Sequence, residues 1–156
     1  MNARLTHLNE RGEAHIVDIG DKAVTARRAV ARATLEAKQA TIDAIMSGTL
    51  KKGDALVVAR IAGIMAAKKT SDLIPLCHPI ALTRVEVDIS EQNGILIVTA
   101  AAETNDRTGV EMEAMTAASV AALTLYDMAK GIDRAMRVSA VELMEKSGGK
   151  SGDFRR

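Results

Sequence analysis

The chain has 156 residues, a net charge of +1 and 47% hydrophobic residues, enough for one domain with its own core. The near-neutral charge argues against polyanion binding as the main function, and the scarcity of aromatic residues argues against stacking on single-stranded nucleic acid. One cysteine excludes an internal disulfide, and neither an apolar signal segment nor a run of membrane-spanning length is present. We therefore expect one cytoplasmic domain over residues 1–156 that binds neither nucleic acid nor membrane.

The N-terminal third is predicted to begin with an arm, followed by one segment whose secondary structure is ambiguous and one helix. Residues 1–20 are polar and contain two glycines, so we expect an arm that docks on something else. Residues 24–35 alternate small and charged side chains, which fits either a strand or a helix. Residues 36–46 are predicted to form a helix that ends at Gly48, because apolar side chains recur there at helical spacing.

A second helix is predicted from Ala55 to about Lys69, with Asp54 as its N-cap. Its large apolar side chains are expected to face the core: Leu56, Val57, Ile61, Ile64 and Met65. Lys51 and Lys52 precede this helix, where the helix dipole disfavours a cation but favours a bound anion.

The segment from Ser71 to Ile80 contains both prolines of the chain. They exclude a regular helix and stiffen a loop that carries Cys77 and His78. Such a loop either fixes side chains at a functional site or simply packs them in the core. A zinc site is not indicated, because the other two histidines lie in the arm and no ligand spacing is present.

Two alternating runs, residues 82–90 and 95–102, flank an Asn-Gly pair, which is the strongest local signal for a β-hairpin. Residues 108–130 then predict one long helix, with Thr108 and Glu111 as a capping box and Gly131 as its stop. Apolar side chains cover most of the circumference of this helix, so we expect it to be buried on several sides.

The charged residues of the long helix lie at its two ends. Glu111 and Glu113 suit the positive end of the helix dipole, and Lys130 suits the negative end. Asp127 is electrostatically misplaced near a C-terminus, unless it forms an ion pair with Lys130, three residues on.

Residues 137–146 are predicted as the last strand, followed by a flexible, glycine-rich tail over residues 147–156. The tail contains Gly-Lys-Ser, but Met144 stands where a P-loop requires glycine. The amides and two lysines of the tail are able to wrap a phosphate. A disordered tail is the alternative.

Several stretches together resemble one known family. They are KKGD at 51–54, SDLIPLCHP at 71–79, TGVEMEA and AASVAALTLYDM within 108–128, KSGGKSGDF at 146–154, and THLNERGEAHIVDI at 6–19. In order and spacing they resemble the cyclic pyranopterin monophosphate synthases, the accessory proteins C of molybdenum-cofactor biosynthesis. The resemblance covers nearly the whole chain.

This resemblance implies a fold, an assembly and a reaction. The implied fold is α+β and ferredoxin-like, an antiparallel four-stranded sheet with helices on one face, and it makes residues 24–35 a strand. The implied assembly is a homohexamer, a trimer of dimers. The implied reaction converts a cyclised dihydro-GTP, made by a partner radical enzyme, into cyclic pyranopterin monophosphate with release of pyrophosphate. No cofactor and no metal are implied.

The resemblance also implies roles for individual residues. The implied catalytic residues are Asp127, Lys130, Lys52, Lys146 and His78, the last as a proton carrier or as a donor to the phosphates. The implied substrate-contacting residues are Leu76, Cys77, His78, Met112 and Glu113, with Glu111 and Arg27 as further candidates. Arg107 departs from the family pattern, which has lysine before Thr-Gly.

The two ends of the long helix are too far apart for one ligand. Met112 lies about 22 Å from Asp127 and roughly 27 Å from Lys130 along a helix axis. We therefore expect the active site at a subunit interface. Crowding beside Lys52 or Lys146 is expected to lower the pKa of Lys130. The rival hypothesis is a non-catalytic nucleotide-binding or assembly protein that uses the same lysines.

Overall fold

The computed structural model describes residues 6–156 and shows an antiparallel sheet with helices packed on it, which confirms the α+β class. The elements in chain order are β1 Thr25–Glu36, α1 Gln39–Met46, α2 Ala55–Lys68, α3 Thr70–Leu73, β2 Leu82–Gln92, β3 Ile95–Asp106, α4 Glu111–Ala129, β4 Arg137–Ser147 and β5 Phe154–Arg155. Residues 1–5 of the predicted arm lie outside the described residues. Between residues 6 and 156, no helix combines the length and the apolar character that crossing a membrane requires.

The sheet has five strands in the order β2-β3-β1-β4-β5, so the prediction of four strands is wrong. The additional strand forms because the tail turns back, and Phe154–Arg155 pairs with the end of β4. Gly148, Gly149 and Gly152 all have positive φ angles, which glycine adopts without strain and which allow this reversal.

Strand β1 resolves the ambiguous segment near residues 24–35 as a strand. It pairs with both β3 and β4 and is therefore interior to the sheet. Its alternating side chains Ala29, Ala31, Ala33 and Leu35 are buried. The predicted hairpin is also confirmed, because Asn93 and Gly94 both have positive φ and connect β2 to β3 through the two-residue turn that such dipeptides favour.

Helix α1 begins at Gln39, three residues later than predicted. Glu36 remains in β1, opposite Arg137 of β4. The helix start is fixed by Asp133, whose buried carboxylate accepts hydrogen bonds from the Lys38 backbone N–H and the Thr41 hydroxyl. This pairing between segments that are distant in the chain is not visible in the local sequence pattern.

Helix α4 is shorter at its start than predicted, and the predicted capping box is wrong. Val110 occupies the N-cap position, and no side chain caps the helix there. The Glu111 carboxylate, which would have completed the box, instead pairs with Lys146. The predicted end is confirmed, with Lys130 at the C-cap and Gly131 beyond it.

Helix α2 has the predicted N-cap but presents a different face to the core. The Asp54 side chain accepts from the backbone N–H groups of Leu56 and Val57. The prediction that the large apolar residues face inward is wrong for Val57, Ile61 and Met65, which are exposed; Leu56 and Ile64 are partly buried. The buried face consists of small residues: Ala55, Ala59, Gly63, Ala66 and Ala67.

Small residues are needed there because α2 lies very close to α4. A Cβ placed at Gly63 would lie only 3.0 Å from the Ala117 carbonyl oxygen and 3.2 Å from the Ala121 Cβ. Ala117 and Ala121 of α4 lie opposite Gly63, and α4 is itself rich in buried alanines: Ala114, Ala117, Ala118, Ala121 and Ala122. Close approach of the two helices therefore outweighs the preference for burying larger side chains.

We expect Gly63→Leu to destabilise the protein by about 1–3 kcal/mol, because the added side chain overpacks the contact between α2 and α4. The measurement is the free energy of unfolding from denaturant titration. The control is Gly131→Leu, where an added Cβ meets no atom within 4 Å, and which should change stability by less than about 0.5 kcal/mol. Equal stability of the two variants would contradict the observed contact.

Candidate active site

The predicted site residues form two groups at opposite ends of α4. The N-terminal cluster contains Arg27, Leu76, Cys77, His78, Glu111, Met112, Glu113 and Lys146. The C-terminal cluster contains Lys52, Asp127 and Lys130. Within residues 6–156, no group of three or more His, Cys, Asp or Glu side chains is arranged to hold a metal ion.

An apolar cavity of about 390 Å³ lies beside the first turn of α4. Its apolar lining comes from the arm, the proline-containing loop and α4: Val17, Ile19, Leu76, Cys77, Ile80 and Met112. His78 and Glu113 add polar groups to its wall. The predicted contact residues of the loop and of α4 are therefore brought together around one space.

A cationic cavity of about 600 Å³ adjoins the apolar cavity, and Lys22, Thr108 and Glu111 line both. Its charged side chains are five cations and one carboxylate: Lys22, Arg27, Arg107, Lys146, Lys150 and Glu111. The excess of positive charge makes it suited to a polyanion. Lys22 was missed by sequence reasoning, because nothing in its local pattern distinguishes it from other surface lysines.

Lys146 connects the three elements that surround the cationic cavity. Its Nζ donates to Glu111 Oε1 and to Ser151 Oγ, both at 2.8 Å, and so joins β4 to α4 and to the tail. Arg27 makes no ion pair within residues 6–156, and its buried Nε has no hydrogen-bond partner there. An unpaired guanidinium beside an ion-paired lysine leaves this cavity able to accept an anion.

Glu113 is the buried carboxyl group of the site, with 3% of its surface exposed. Burial, with a smaller contribution from the neighbouring Glu111 carboxylate, raises its pKa to about 7. Burial, followed by these two carboxylates, also raises the pKa of the Cys77 thiol. Glu113 is therefore able to exchange a proton near neutral pH, whereas Cys77 stays a neutral wall residue.

His78 and Arg107 hold the described part of the arm. The His78 Nε2 donates to the Val17 carbonyl oxygen at 2.7 Å, and the Arg107 Nη1 donates to the Gly20 carbonyl oxygen at 2.9 Å. Because a carbonyl oxygen only accepts, the Nε2 of His78 carries a hydrogen, and the Nδ1 is the nitrogen left for other partners.

The C-terminal cluster is an exposed ion-paired triad. Lys130 Nζ lies 2.7 Å from Asp127 Oδ1, as the three-residue spacing predicts. Lys52 Nζ donates to the Asp127 carbonyl oxygen at 2.8 Å and lies 3.5 Å from its Oδ2. The lysine contacts thus offset the unfavourable position of Asp127 near a helix C-terminus.

The prediction of a lowered pKa for Lys130 is wrong in this chain. The carboxylate of Asp127 lies between the two lysines and raises the pKa of Lys130 through a hydrogen bond and its charge. The hydrogen bond and charge of Lys130, then the charge of Lys52, in turn lower the pKa of Asp127. Within one chain Lys146 does not add to crowding there, because it contacts Glu111 at the other end of α4.

Known proteins match this chain over a range that includes the residues of both clusters. The profile described as "MoaC family" matches residues 16–149. A protein of Thermomicrobium roseum named cyclic pyranopterin monophosphate synthase is 54% identical over 156 residues, which is 99% of this chain and 94% of that protein. These matches agree with the resemblance seen in the sequence motifs.

We expect Glu113→Gln to remove a pH dependence of stability. A folded-state pKa of about 7, above the ordinary 4.5, means that the folded chain holds this proton more tightly than the unfolded chain. The tighter binding of this proton therefore contributes fully to the stability of the fold below pH 4.5, and the contribution is lost as the pH rises through 7. Glutamine stays neutral throughout, so the variant should gain up to about 3 kcal/mol on the wild type over this range.

Denaturant titrations at about pH 5 and about pH 8 measure this gain as a difference between variant and wild type. The control is Glu10→Gln, at an exposed position of the arm, whose difference from the wild type should be the same at both pH values. A constant difference for Glu113→Gln as well would show that Glu113 is ionised in the folded protein.

Proposed function

The chain belongs to the MoaC family, and from this membership we propose that it is a cyclic pyranopterin monophosphate synthase, a phosphorus–oxygen lyase of molybdenum-cofactor biosynthesis. Its substrate is a cyclised dihydro-GTP supplied by a partner radical enzyme, and its products are cyclic pyranopterin monophosphate and pyrophosphate. The observation that carries this proposal is the cationic cavity that adjoins the apolar cavity at the first turn of α4.

In this proposal the two cavities bind two parts of the substrate that differ in charge. The triphosphate occupies the cationic cavity, where the unpaired guanidinium of Arg27 and the ammonium of Lys146 face its negative charge. The heterocycle occupies the apolar cavity against Leu76 and Met112, with the Glu113 carboxyl group within the same wall. This orientation places the proton-exchanging acid beside the ring that is rearranged and the cations beside the phosphate that leaves.

The chemistry needs proton exchange and stabilisation of a leaving anion. When a substrate hydroxyl attacks the α-phosphorus, the cyclic phosphate closes and the bond to pyrophosphate breaks, so negative charge moves onto the pyrophosphate. Lysine and arginine side chains fixed around it stabilise that charge in the transition state. Glu113 and the Nδ1 of His78 are the groups of the N-terminal cluster that accept the proton of the attacking hydroxyl and exchange protons with the ring.

The C-terminal cluster comes from a neighbouring subunit in this proposal. Along α4, Asp127 lies about 22 Å and Lys130 roughly 27 Å from Met112 of the same chain, too far for one nucleotide to reach both ends. A homohexamer, built as a trimer of dimers, would bring the C-terminal cluster of one subunit to the cavities of another. Asp127 then holds Lys130 charged against the substrate.

Exposed apolar residues support assembly. Val57, Val58, Ile61 and Met65 of α2 are exposed, and Ile61 and Met65 each keep 52% of their surface accessible. Contiguous apolar surface of this kind marks an interaction site.

A ferredoxin-like fold is also part of the proposal, supported by the β-α-β-β-α-β order of the long elements and the strand order β2-β3-β1-β4. The cytoplasmic location stays a prediction.

Incubation of the protein with the cyclised dihydro-GTP tests the activity directly. We expect release of pyrophosphate in step with formation of cyclic pyranopterin monophosphate, both measured by chromatography. The rival hypothesis, a nucleotide-binding or assembly protein, predicts bound but unchanged substrate and no pyrophosphate.

Asp127→Asn and Lys130→Ala should each abolish turnover while the fold and the assembly survive, as checked by circular dichroism and light scattering.

Mixing of inactive variants tests the shared site. Asp127→Asn leaves the N-terminal cluster intact, and Lys146→Ala leaves the C-terminal cluster intact. If each site takes one cluster from each of two subunits, random assembly of equal amounts by co-expression should restore about one quarter of wild-type activity.

The matched control mixes Asp127→Asn with Lys130→Ala. Both substitutions alter the C-terminal cluster, so no assembly of these subunits contains an intact site, and activity should stay absent. Absence of activity in the Asp127→Asn and Lys146→Ala mixture as well would show that one chain supplies the whole site.

A further inference from the structure

Arg107 connects the end of β3 to the arm. It follows Asp106, the last residue of that strand, and its backbone N–H donates to the Asp106 carboxylate at 2.6 Å. Its Nη1 donates to the Gly20 carbonyl oxygen at 2.9 Å. Within residues 6–156 its guanidinium forms no ion pair, so the contact with the arm is the interaction that the structure assigns to this charge.

The segment of the arm that Arg107 holds is a tight turn. The Gly20 N–H donates to Asp18 Oδ1 at 2.8 Å, and the Lys22 N–H donates to the Ile19 carbonyl oxygen at 3.1 Å. His78 holds the same segment at the Val17 carbonyl oxygen. Two side chains from the body of the protein therefore fix the arm on either side of Ile19.

The turn carries Lys22 to the boundary of the two cavities. Lys22 lines both the apolar cavity and the cationic cavity, and it forms no ion pair within residues 6–156. Its backbone N–H belongs to the turn that Arg107 holds. The position of this lysine against a bound ligand therefore depends on the Arg107 contact.

We propose that Arg107 is a positioning residue that fixes the arm turn over Val17–Lys22 through the Gly20 carbonyl and so places Lys22 where the triphosphate meets the heterocycle. The proposal rests on the function proposed above for the same cavities. A carbonyl oxygen accepts from an ammonium as well as from a guanidinium, so lysine at position 107 is able to make the same contact. The requirement is one cationic donor, not the fork of an arginine.

Hydrogen exchange of the ligand-free protein tests the contact without reference to activity. In Arg107→Ala, the backbone amides of Gly20 and Lys22 should exchange about tenfold faster, the factor expected when a hydrogen bond from a charged group is lost. Arg107→Lys should restore most of the protection. The control is Arg11→Ala, which removes an exposed arginine from the same arm and should leave these amides unchanged. Wild-type protection in Arg107→Ala would overturn the proposal.

Steady-state kinetics test the consequence for Lys22. Arg107→Ala should raise the KM about tenfold with a change in kcat of less than about twofold, because ground-state placement of the substrate is what is lost. The same substitution in a Lys22→Ala background should change the KM by less than about twofold, because the side chain that it positions is gone. Equal effects of Arg107→Ala in both backgrounds would mean that Arg107 binds the substrate itself, and would overturn the positioning role.

Discussion

The contact between α2, α4 and the sheet determines where the proposed functional groups lie. Gly63 leaves no room for a side chain beside Ala117, and the buried face of α4 consists largely of alanine. A helix packed at this short distance keeps contacts along its whole length, and a tilt or a shift would lose many of them together. The two ends of α4 are therefore fixed, about 28 Å apart for 19 residues, and a ligand of nucleotide size reaches one of them in a given chain.

The two ends of α4 differ in how they treat a carboxyl group. At the first turn, burial raises the pKa of Glu113, whereas at the last turn two lysines lower the pKa of Asp127. Near neutral pH Glu113 is therefore able both to hold and to release a proton, whereas Asp127 stays ionised beside a charged Lys130. A site that combines the two ends would place a proton-exchanging acid on the other side of the ligand from a fixed ion pair. Different environments thus shift the pKa values of two carboxyl groups on one helix in opposite directions.

Most local interactions in this chain were predictable from the sequence, except where a distant residue competes, as Lys146 does for Glu111 of the predicted capping box. Contacts between distant segments were not predictable. The Asn93-Gly94 turn, the Asp54 cap and the Asp127–Lys130 pair each depend on residues within a few positions of one another. The clusters around α4 followed from the family resemblance. The buried face of α2 was missed, because hydrophobicity favours burial of Ile61 over Ala59, and the distance to α4 decides the opposite. Lys22 was missed for a related reason, because its position depends on where the arm docks.

The orientation of α2 and the separation of the two clusters have one physical consequence in common. A chain that places alanine and glycine inside and Ile61 and Met65 outside gives up burial that its own core could have used. That arrangement is costly for an isolated chain, and it is offset when the outward side chains are covered by another surface. Within residues 6–156, the Asp127 triad is exposed and no other segment covers the apolar surface of α2, so a neighbouring subunit would account for both features. A neighbouring subunit that covers the apolar surface can also bring a C-terminal cluster to the cavities that lack one.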